Sequence, residues 1–364
     1  AYMSLGYGCR SGSRYTAGPI NIMSLPGRGR GIVALAPIKQ GECVLRELPL
    51  LVDPTPVNMS EGGSYSSVAI QHSYDQQLRA KGKWYRDAFF SLSDHTQIER
   101  GGGPKIFGGI CRTNMFGCEA PLREHNLGSC CCLEASMLNH SCVPNVSRYW
   151  DESSGEMVFH STRDIDAGEE LTISYISRRL SRAERKEKLA GYSFECQCPL
   201  CTLSDEESES VDALIQVHED TLTKLSEALK SERYGAEVEY WAKELVSIGR
   251  RLYIDDIDGV LQRYFAVLAI ALGQRNMTLY GEAGAMAINY TQAMMGHGNI
   301  YESMFTPTYF NPATLVQANL PSFRAEFPRW WKEEGRPGLN AWIQSIGGYA
   351  IQSDEKVSLS EMFN

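Results

Sequence analysis

The stretch Asn139–Asn145, which reads Asn-His-Ser-Cys-Val-Pro-Asn, concentrates several side chains suited to ligand contact in one short segment. The ring of Pro144 disfavours a helical conformation at the residue before it, so we predict a strand end or a turn here. The amide of Asn139 and the imidazole of His140 can together contact a polar ligand. The thiol of Cys142 is a candidate metal ligand. Taken alone, the stretch is explained equally well as a polar loop with an incidental cysteine.

Three further motifs flank this stretch. Upstream, Gly27–Ala34 (Gly-Arg-Gly-Arg-Gly-Ile-Val-Ala) is a glycine-rich turn that leads into a strand, where glycines allow a close approach of the backbone to a ligand. Its spacing is not that of a dinucleotide-binding fingerprint, and it opens no helix. Downstream, Gly168–Tyr175 (Gly-Glu-Glu-Leu-Thr-Ile-Ser-Tyr) is a turn followed by an alternating strand, and Tyr192–Cys201 contains the pattern Cys-x-Cys-x-x-Cys.

In this order the four motifs resemble the SET-domain methyltransferases, and above all the SET and MYND domain-containing lysine methyltransferases. The likeness covers residues 24–202 and, more loosely, the C-terminal region. It implies an α+β, SET-type fold of small curved β-sheets with a post-SET zinc site, followed by an α-helical, tetratricopeptide-like C-terminal domain. The family's Cys/His-rich MYND zinc module would fall within residues 53–105. No cysteine occurs between Cys43 and Cys111, so we predict that the module is absent.

The predicted organisation has five segments. They are residues 1–52 as the N-terminal part of the SET core, 53–105 as a helical insertion at the MYND position, 106–180 as the intermediate SET region and the C-terminal part of the core, 181–203 as the post-SET zinc segment, and 204–364 as the helical domain.

Short apolar or alternating runs predict the strands of the core. These are Ile20–Met23, Ile32–Leu35, Cys43–Leu51, Ser147–Tyr149, Met157–Ser161 and Leu171–Ile176. We expect the turn Ile38–Glu42 to join the second and third of these strands in a hairpin, and Asp151–Gly155 to form a second hairpin turn. Residues 1–23 are expected to be extended.

Helical periodicity dominates the rest of the chain. Helices are predicted at Val68–Leu78, Trp84–Leu92, Ser181–Leu189 and Asn276–Met295, and in three apolar stripes over residues 211–229, 238–252 and 257–272. The acidic stretch Ser204–Ser210 is interpreted as a linker and a domain boundary. No clean 34-residue repeat supports the tetratricopeptide-like assignment. In residues 299–364 we expect short helices anchored by Trp330, Trp331 and Trp342.

Composition limits the possible partners and compartments. A formal net charge of −9 argues against a general nucleic-acid binder, which needs a cationic surface. It suits a basic protein or peptide such as a histone tail, although it also serves solubility alone. We expect no membrane association, since no apolar run is long enough to cross a bilayer, and a monomeric state. Eleven cysteines without a secretory signal pattern indicate a reducing compartment, the cytoplasm or the nucleus.

The cysteine pattern predicts a metal site. Cys196, Cys198 and Cys201 bring three sulfur atoms into one tight turn, and tetrahedral zinc requires a fourth ligand. The resemblance implies that this ligand is Cys142. The alternative is a set of ordinary cysteines without a metal. The run Cys130–Cys132 is open to a second metal or redox role, but adjacent cysteines chelate poorly and a structural role is favoured.

The cofactor implied by the resemblance is S-adenosylmethionine. Arg28, Gly29 and Arg30 would meet its carboxylate, Asn114 its amino acid moiety, Asn139 and His140 its adenine and ribose, while Phe194 would stack on the adenine and Tyr192 would line the pocket. Phe116 is as readily a core residue as a pocket residue. His140, considered alone, is also explained as a satisfied buried histidine.

The resemblance makes Tyr175 the catalytic residue, beside the methyl group that is transferred to a lysine amine. We expect orientation to supply most of the acceleration and expect no dedicated general base. Many SET proteins have an aromatic residue two positions after this tyrosine, where this chain has Ser177, so the number of methyl groups transferred stays open. Two other readings remain, an enzyme that acts on a small molecule and a non-catalytic scaffold that binds partners through the helical domain.

Overall fold

The computed structural model describes residues 16–53, 68–118, 128–151, 153–252, 257–296, 299 and 312–346. The predictions for residues 1–15, 54–67, 119–127, 300–311 and 347–364 lie outside these ranges. The chain divides into two compact units, one made of residues 1–176 and 184–199 and the other of residues 177–183 and 200–364.

The first unit contains eleven short strands within the described residues. They are β1 Thr16–Ala17, β2 Ile20–Leu25, β3 Gly29–Ala34, β4 Cys43–Glu47, β5 Leu51–Asp53, β6 Met115–Gly117, β7 Ser129–Cys131, β8 Asn139–His140, β9 Val146–Asp151, β10 Glu156–Ser161 and β11 Glu170–Ile173. They form three small sheets with the orders β1-β4-β10-β9, β2-β3-β11-β8 and β5-β7-β6. Every pairing is antiparallel except that between β8 and β11, which is parallel. The predicted small sheets and the hairpin of β9 and β10 are confirmed.

The hairpin predicted around Ile38–Glu42 is wrong. Strands β3 and β4 belong to different sheets, and the predicted strand Cys43–Leu51 is split into β4 and β5. The turn pairs with a distant segment, because Ile38 forms a bridge with Ile165 and the backbone N–H of Gly41 donates to the carbonyl of Ser161 at 2.9 Å. Contacts distant in sequence therefore override the local turn pattern.

Four helices precede β6, and a fifth is the first helix after β11. They are α1 Val68–Lys81, α2 Lys83–Ser91, α3 Thr96–Glu99, α4 Phe107–Asn114 and α5 Arg182–Ala190, with a 3₁₀ turn at Ala135–Met137. The helices predicted at Val68–Leu78, Trp84–Leu92 and Ser181–Leu189 are confirmed. The described part of residues 53–105 is therefore largely helical.

The core of the first unit gathers apolar side chains from all three sheets and from the helices. It includes Ile32, Leu45, Phe89, Phe159 and Leu171, each of which is 1% exposed or less. Burial of such side chains is the main favourable contribution to folding, and it fixes the sheet that carries β8 and β11.

The second unit is helical throughout its described elements. After α5, its elements are α6 Asp205–Lys230, α7 Ala236–Leu252, α8 Ile257–Gly273, α9 Met277–Met295, α10 Ala313–Asn319, α11 Phe327–Trp330 and α12 Arg336–Ser345, with a 3₁₀ turn at Pro321–Phe323 and a π-helical turn at Trp331–Gly335. The predicted stripes and the short C-terminal helices are confirmed. Trp330 and Trp331 are buried, and the ring of Trp342 packs so closely on Gly281 that a Cβ there would come within 2.3 Å of it.

The acidic stretch Ser204–Ser210 is not a linker. Ser204 is the N-cap of α6, its hydroxyl accepts a hydrogen bond from the backbone N–H of Glu207, and the Glu207 carboxylate accepts one from the backbone N–H of Ser204. This reciprocal capping box satisfies two N–H groups that a helix start otherwise leaves free. Acidic residues in the first turn also complement the helix dipole, which explains why a charged stretch is helical here.

Across the described parts of the chain, no helix is both long enough and apolar enough to pass through a bilayer.

Candidate active site and metal centre

The parallel pairing of β8 with β11 brings two distant motifs side by side. Asn139 aligns with Thr172 and His140 with Ile173. The side chain of Asn145 reinforces the pairing, because its carbonyl oxygen accepts from the N–H of Thr172 at 2.8 Å and its amide donates to the carbonyl of Glu170 at 2.9 Å. The opening stretch of the sequence is therefore a strand end followed by a loop, as predicted.

Two hydrogen bonds fix Tyr175 at the end of β11. Its hydroxyl donates to the carbonyl oxygen of Leu138 at 2.6 Å, and its backbone N–H donates to Nδ1 of His140 at 3.0 Å. Burial raises the pKa of the Tyr175 phenol well above its ordinary value. The hydroxyl is therefore protonated at neutral pH, and its oxygen lone pairs are available to other groups.

The His140 ring connects this tyrosine to a cysteine. Burial lowers the pKa of His140 to about 4, and the nearby Cys198 opposes this effect, so the imidazole is neutral near pH 7. Because Nδ1 accepts from Tyr175, we assign the proton to Nε2, which lies 3.3 Å from Sγ of Cys142. One ring thus links the candidate catalytic residue to a candidate metal ligand.

Cys142, Cys196, Cys198 and Cys201 converge as the sequence and the resemblance predict. Their four sulfur atoms all lie within 4.8 Å of one another. Cys142 and Cys198 are buried, Cys196 is 9% exposed, and Cys201 is partly exposed. Four thiolates around tetrahedral zinc, with bonds of about 2.3 Å, stand about 3.8 Å apart. The cluster therefore has the ligand type and the spacing of a structural zinc centre.

An aromatic cluster surrounds the Tyr175 ring. Its ring centroid lies 5.2 Å from that of Tyr192 and 6.5 Å from that of Phe194, and the Phe194 ring lies 6.0 Å from His140. Phe194 is 37% exposed, so part of its ring faces solvent. His95, from the segment between α2 and α3, packs on Tyr192 with centroids 4.8 Å apart.

A polar node, made of Arg28, Asn139 and Glu170, lies beside the aromatic cluster. The amide of Asn139 donates to Oε1 of Glu170 at 2.7 Å and to the carbonyl of Arg30 at 3.0 Å. Arg28 forms an ion pair with Glu170 at 2.8 Å and donates to the carbonyl of His140 at 3.1 Å. A Cβ at Gly31 would come within 3.0 Å of both Asn139 and Glu170, so only glycine allows this close approach.

Two other predicted cofactor residues, Arg30 and Asn114, form hydrogen bonds with backbone carbonyls outside the polar node. The Arg30 guanidinium donates to the carbonyl of Ser91 at 2.9 Å. Asn114 is buried, and its amide donates to the carbonyls of Ser93 and Ile110. Gly29 has a left-handed backbone, with φ of 71°, and space where a Cβ would stand.

Sequence reasoning missed two members of the site. His95 lies in the insertion, in no motif that we could recognise, so no signal pointed to it. Glu170 lies inside the quoted Gly-Glu-Glu-Leu motif, but nothing in the sequence distinguished it from Glu169. Only the strand pairing shows that Glu170 is the carboxylate that faces Asn139.

The run Cys130–Cys132 lies in the core. All three residues are fully buried, and burial raises the pKa of Cys132 to about 12. Thiols with raised pKa in apolar surroundings are poorly reactive. Within the described ranges, the only group of side chains with metal-binding geometry is the one around Cys142, so the structural role is favoured here.

Comparison with known proteins agrees with this geometry. Residues 29–176 match the model of the SET domain. A SET domain-containing protein, L678, of Acanthamoeba polyphaga mimivirus is 42% identical over 204 residues, which make up 49% of this chain and 75% of that protein. The chain therefore belongs to the SET-domain family.

The names of several relatives describe an activity. The histone-lysine N-methyltransferase set5 of Schizosaccharomyces pombe is 25% identical over 194 residues, 53% of each chain. The human histone-lysine N-methyltransferase SMYD3 is 33% identical over 122 residues, 32% of this chain and 27% of that protein. The chain thus spans about half the length of the first relative and about a quarter of the second.

Proposed function

We propose that this protein is an S-adenosylmethionine-dependent protein-lysine N-methyltransferase with Tyr175 at its reaction centre. The observation that carries the proposal is the fixed phenol of Tyr175, whose hydroxyl donates a hydrogen bond to the Leu138 carbonyl oxygen at 2.6 Å. The oxygen therefore presents only its lone pairs to a reacting group, and its position is set in advance, which is what an orientation-dependent displacement needs. A phenol with a raised pKa does not serve as a general base at neutral pH.

The residues present fit S-adenosylmethionine. The cofactor, when bound, supplies a sulfonium-activated methyl group and an adenine. The exposed part of the Phe194 ring offers a stacking surface for an aromatic base. The rings of Tyr175 and Tyr192, 5.2 Å apart, can face a cation. The open left-handed turn at Gly29 leaves backbone groups accessible to a carboxylate.

We propose a basic protein segment, such as a histone tail, as the substrate. A lysine amine with an ordinary pKa near 10.4 must lose its proton before it can attack, and burial beside a cationic donor lowers that pKa. The net charge of −9 favours encounter with a basic partner. The names of the relatives set5 and SMYD3 point to the same substrate class. We further propose that the protein acts as a monomer in the nucleus or the cytoplasm.

We propose that zinc occupies the Cys142 cluster. Four cysteine sulfur atoms within 4.8 Å of one another match its preferred donor set. Cys142 and the nearby His140 would then be held in one arrangement, because the His140 Nε2–H donates to the ligating sulfur. Hydrogen bonds from groups around a metal site orient its ligands in this way. Metal binding would in this way order the segment that receives Tyr175.

The deciding experiment is a methyl-transfer screen. Purified protein is incubated with tritiated S-adenosylmethionine and histones, other proteins or small metabolites, with Tyr175→Phe as the control variant. Label on a lysine of a basic protein, lost in the Tyr175→Phe variant, supports the proposal. Label only on a metabolite, or equal labelling by both proteins, contradicts it. Calorimetric binding of the cofactor without any transfer would identify a scaffold.

A further inference from the structure

A buried carboxylate contacts the segment that leads to Leu138, the residue that receives the Tyr175 hydroxyl. Glu47 is the last residue of β4 and is 7% exposed. Its backbone is held in register opposite Met157 of β10. Among the described residues, no lysine or arginine forms an ion pair with it. A buried carboxylate without a cation is costly unless hydrogen bonds compensate it, so its presence calls for an explanation.

Backbone N–H groups supply those hydrogen bonds. Oε1 of Glu47 accepts from Leu133 at 2.6 Å, and Oε2 accepts from Ala135 at 2.9 Å. The N–H of Glu134 lies between them, at 3.1 and 3.2 Å from the two oxygens. Three successive N–H groups around one carboxylate form a concave anion-binding arrangement within the protein itself.

These bonds fix a short turn that ends at Leu138. The N–H of Met137 donates to the carbonyl of Glu134 at 2.8 Å, and the N–H of Leu138 donates to that of Ala135 at 3.0 Å. The next group along the backbone is the Leu138 carbonyl, which accepts the Tyr175 hydroxyl. An unbroken series of hydrogen bonds thus connects the Glu47 carboxylate to the phenol.

We propose that Glu47 is a positioning residue for Tyr175, which orients the Leu138 carbonyl and through it the phenol oxygen. The kinetic part of this inference rests on the proposed function, whereas the structural part does not. Burial raises the pKa of Glu47 to about 7, and the three N–H groups oppose that rise. Unusual titration of this kind is concentrated near functional sites.

Glu47→Gln is the informative substitution. The amide keeps the size of the side chain but has one oxygen, so an NH₂ group must face at least one backbone N–H. Glu47→Asp keeps the charge and shortens the reach. Glu156→Gln is a matched control, because Glu156 is also a buried glutamate, 4% exposed, but binds the Arg46 side chain at 2.9 Å. None of these residues belongs to the proposed reaction centre.

The first measurement reports on the phenol without any need for activity. The full chain is labelled with tyrosine carrying ¹³C at Cζ, and the Tyr175 resonance is identified by its absence from Tyr175→Phe. We expect a shift of this resonance in Glu47→Gln, a smaller shift in Glu47→Asp, and none in Glu156→Gln. An unshifted resonance in a folded Glu47→Gln protein overturns the proposal. If that variant does not fold, the Glu47→Asp spectrum decides in the same way.

The second measurement is kinetic. We expect kcat of Glu47→Gln to fall between about 10-fold and 100-fold, with the KM values for cofactor and peptide changed by less than about threefold. In the Tyr175→Phe background the same substitution should have no further effect, since both act through one group. Additive losses, or a loss confined to KM, overturn the positioning role. A shifted resonance in a protein without methyl transfer would overturn the proposed function and leave this inference standing.

Discussion

The hydroxyl of Tyr175 donates to the backbone carbonyl of Leu138 at 2.6 Å. This contact joins two residues that are 37 positions apart in sequence, and it is made by a phenol that burial keeps protonated. The position of the oxygen is therefore a property of the fold before any ligand arrives.

Removal of the Tyr175 hydroxyl should lower the rate of methyl transfer and leave cofactor affinity nearly unchanged. We expect Tyr175→Phe to lose about 1 kcal/mol of unfolding free energy, the usual value of one hydrogen bond, and to retain cofactor affinity within about threefold. Methyl transfer should fall by about 100-fold or more, as when a preorganised polar group is removed from an active site. Urea unfolding, calorimetry and tritium transfer measure the three quantities. A variant with unchanged transfer would show that the phenol oxygen takes no part.

The glycine at position 31 should be indispensable to the polar node. In Gly31→Ala the new methyl group would come within 2.4 Å of Leu25 and within 3.0 Å of Asn139 and Glu170. We expect a loss of about 1–3 kcal/mol in unfolding free energy and weaker cofactor binding. Gly235→Ala is the control, because nothing lies within 4 Å of its Cβ position. Equal effects of the two substitutions would exclude a local role for Gly31.

The cysteine cluster should determine metal content. We expect the purified protein to contain one zinc ion per chain by elemental analysis, and Cys196→Ser to lose it, since three remaining thiolates hold zinc more weakly. A strong chelator should lower the melting temperature of the wild type, because metal binding contributes to folding. Cys43→Ser is the control, as Cys43 lies outside the cluster. Zinc retained by Cys196→Ser would show that the metal is bound elsewhere.

The Arg46 and Asp151 pair should make stability depend on acid pH. Burial alone would raise the pKa of Asp151, but hydrogen bonds from Ser153, Arg46 and Ser154 outweigh it and lower the pKa to about 2. The folded state then binds this proton less tightly than the unfolded state, whose Asp pKa is about 3.9. The contribution of the ionised Asp151 to the free energy of unfolding is complete above about pH 4 and is lost as the pH falls toward 2.

The measurement is urea unfolding of the wild type and Asp151→Asn between pH 3 and 7. We expect the unfolding free energies of the two proteins to differ by about 1 kcal/mol at pH 7, a value discounted for the partial solvent contact of the pair. This difference should become smaller at pH 3. Asp205→Asn is the control, because that carboxylate is 97% exposed, and its effect should stay below about 0.5 kcal/mol. A difference that stays constant over this range would contradict the assignment.

Sequence patterns predicted only part of the candidate site. The four motifs in their order carried the resemblance to the SET-domain methyltransferases, and that resemblance implied that the residues around Asn139, Tyr175 and Cys142 belong to one centre. They could not identify Glu47, His95 or Glu170. The partners of these side chains lie in other segments, and a glutamate in a strand gives no local sign of what its carboxylate meets.

The sequence by itself determined the elements whose signals are local. The helices from α6 to α9 follow from apolar periodicity, and the cysteine spacing of Cys196–Cys201 brings three sulfur atoms together along the chain. Tertiary structure alone decided which strands pair. It placed β3 and β4 in different sheets and set β8 beside β11, since register is chosen by the burial of distant side chains. The phenol of Tyr175 is oriented by that non-local choice.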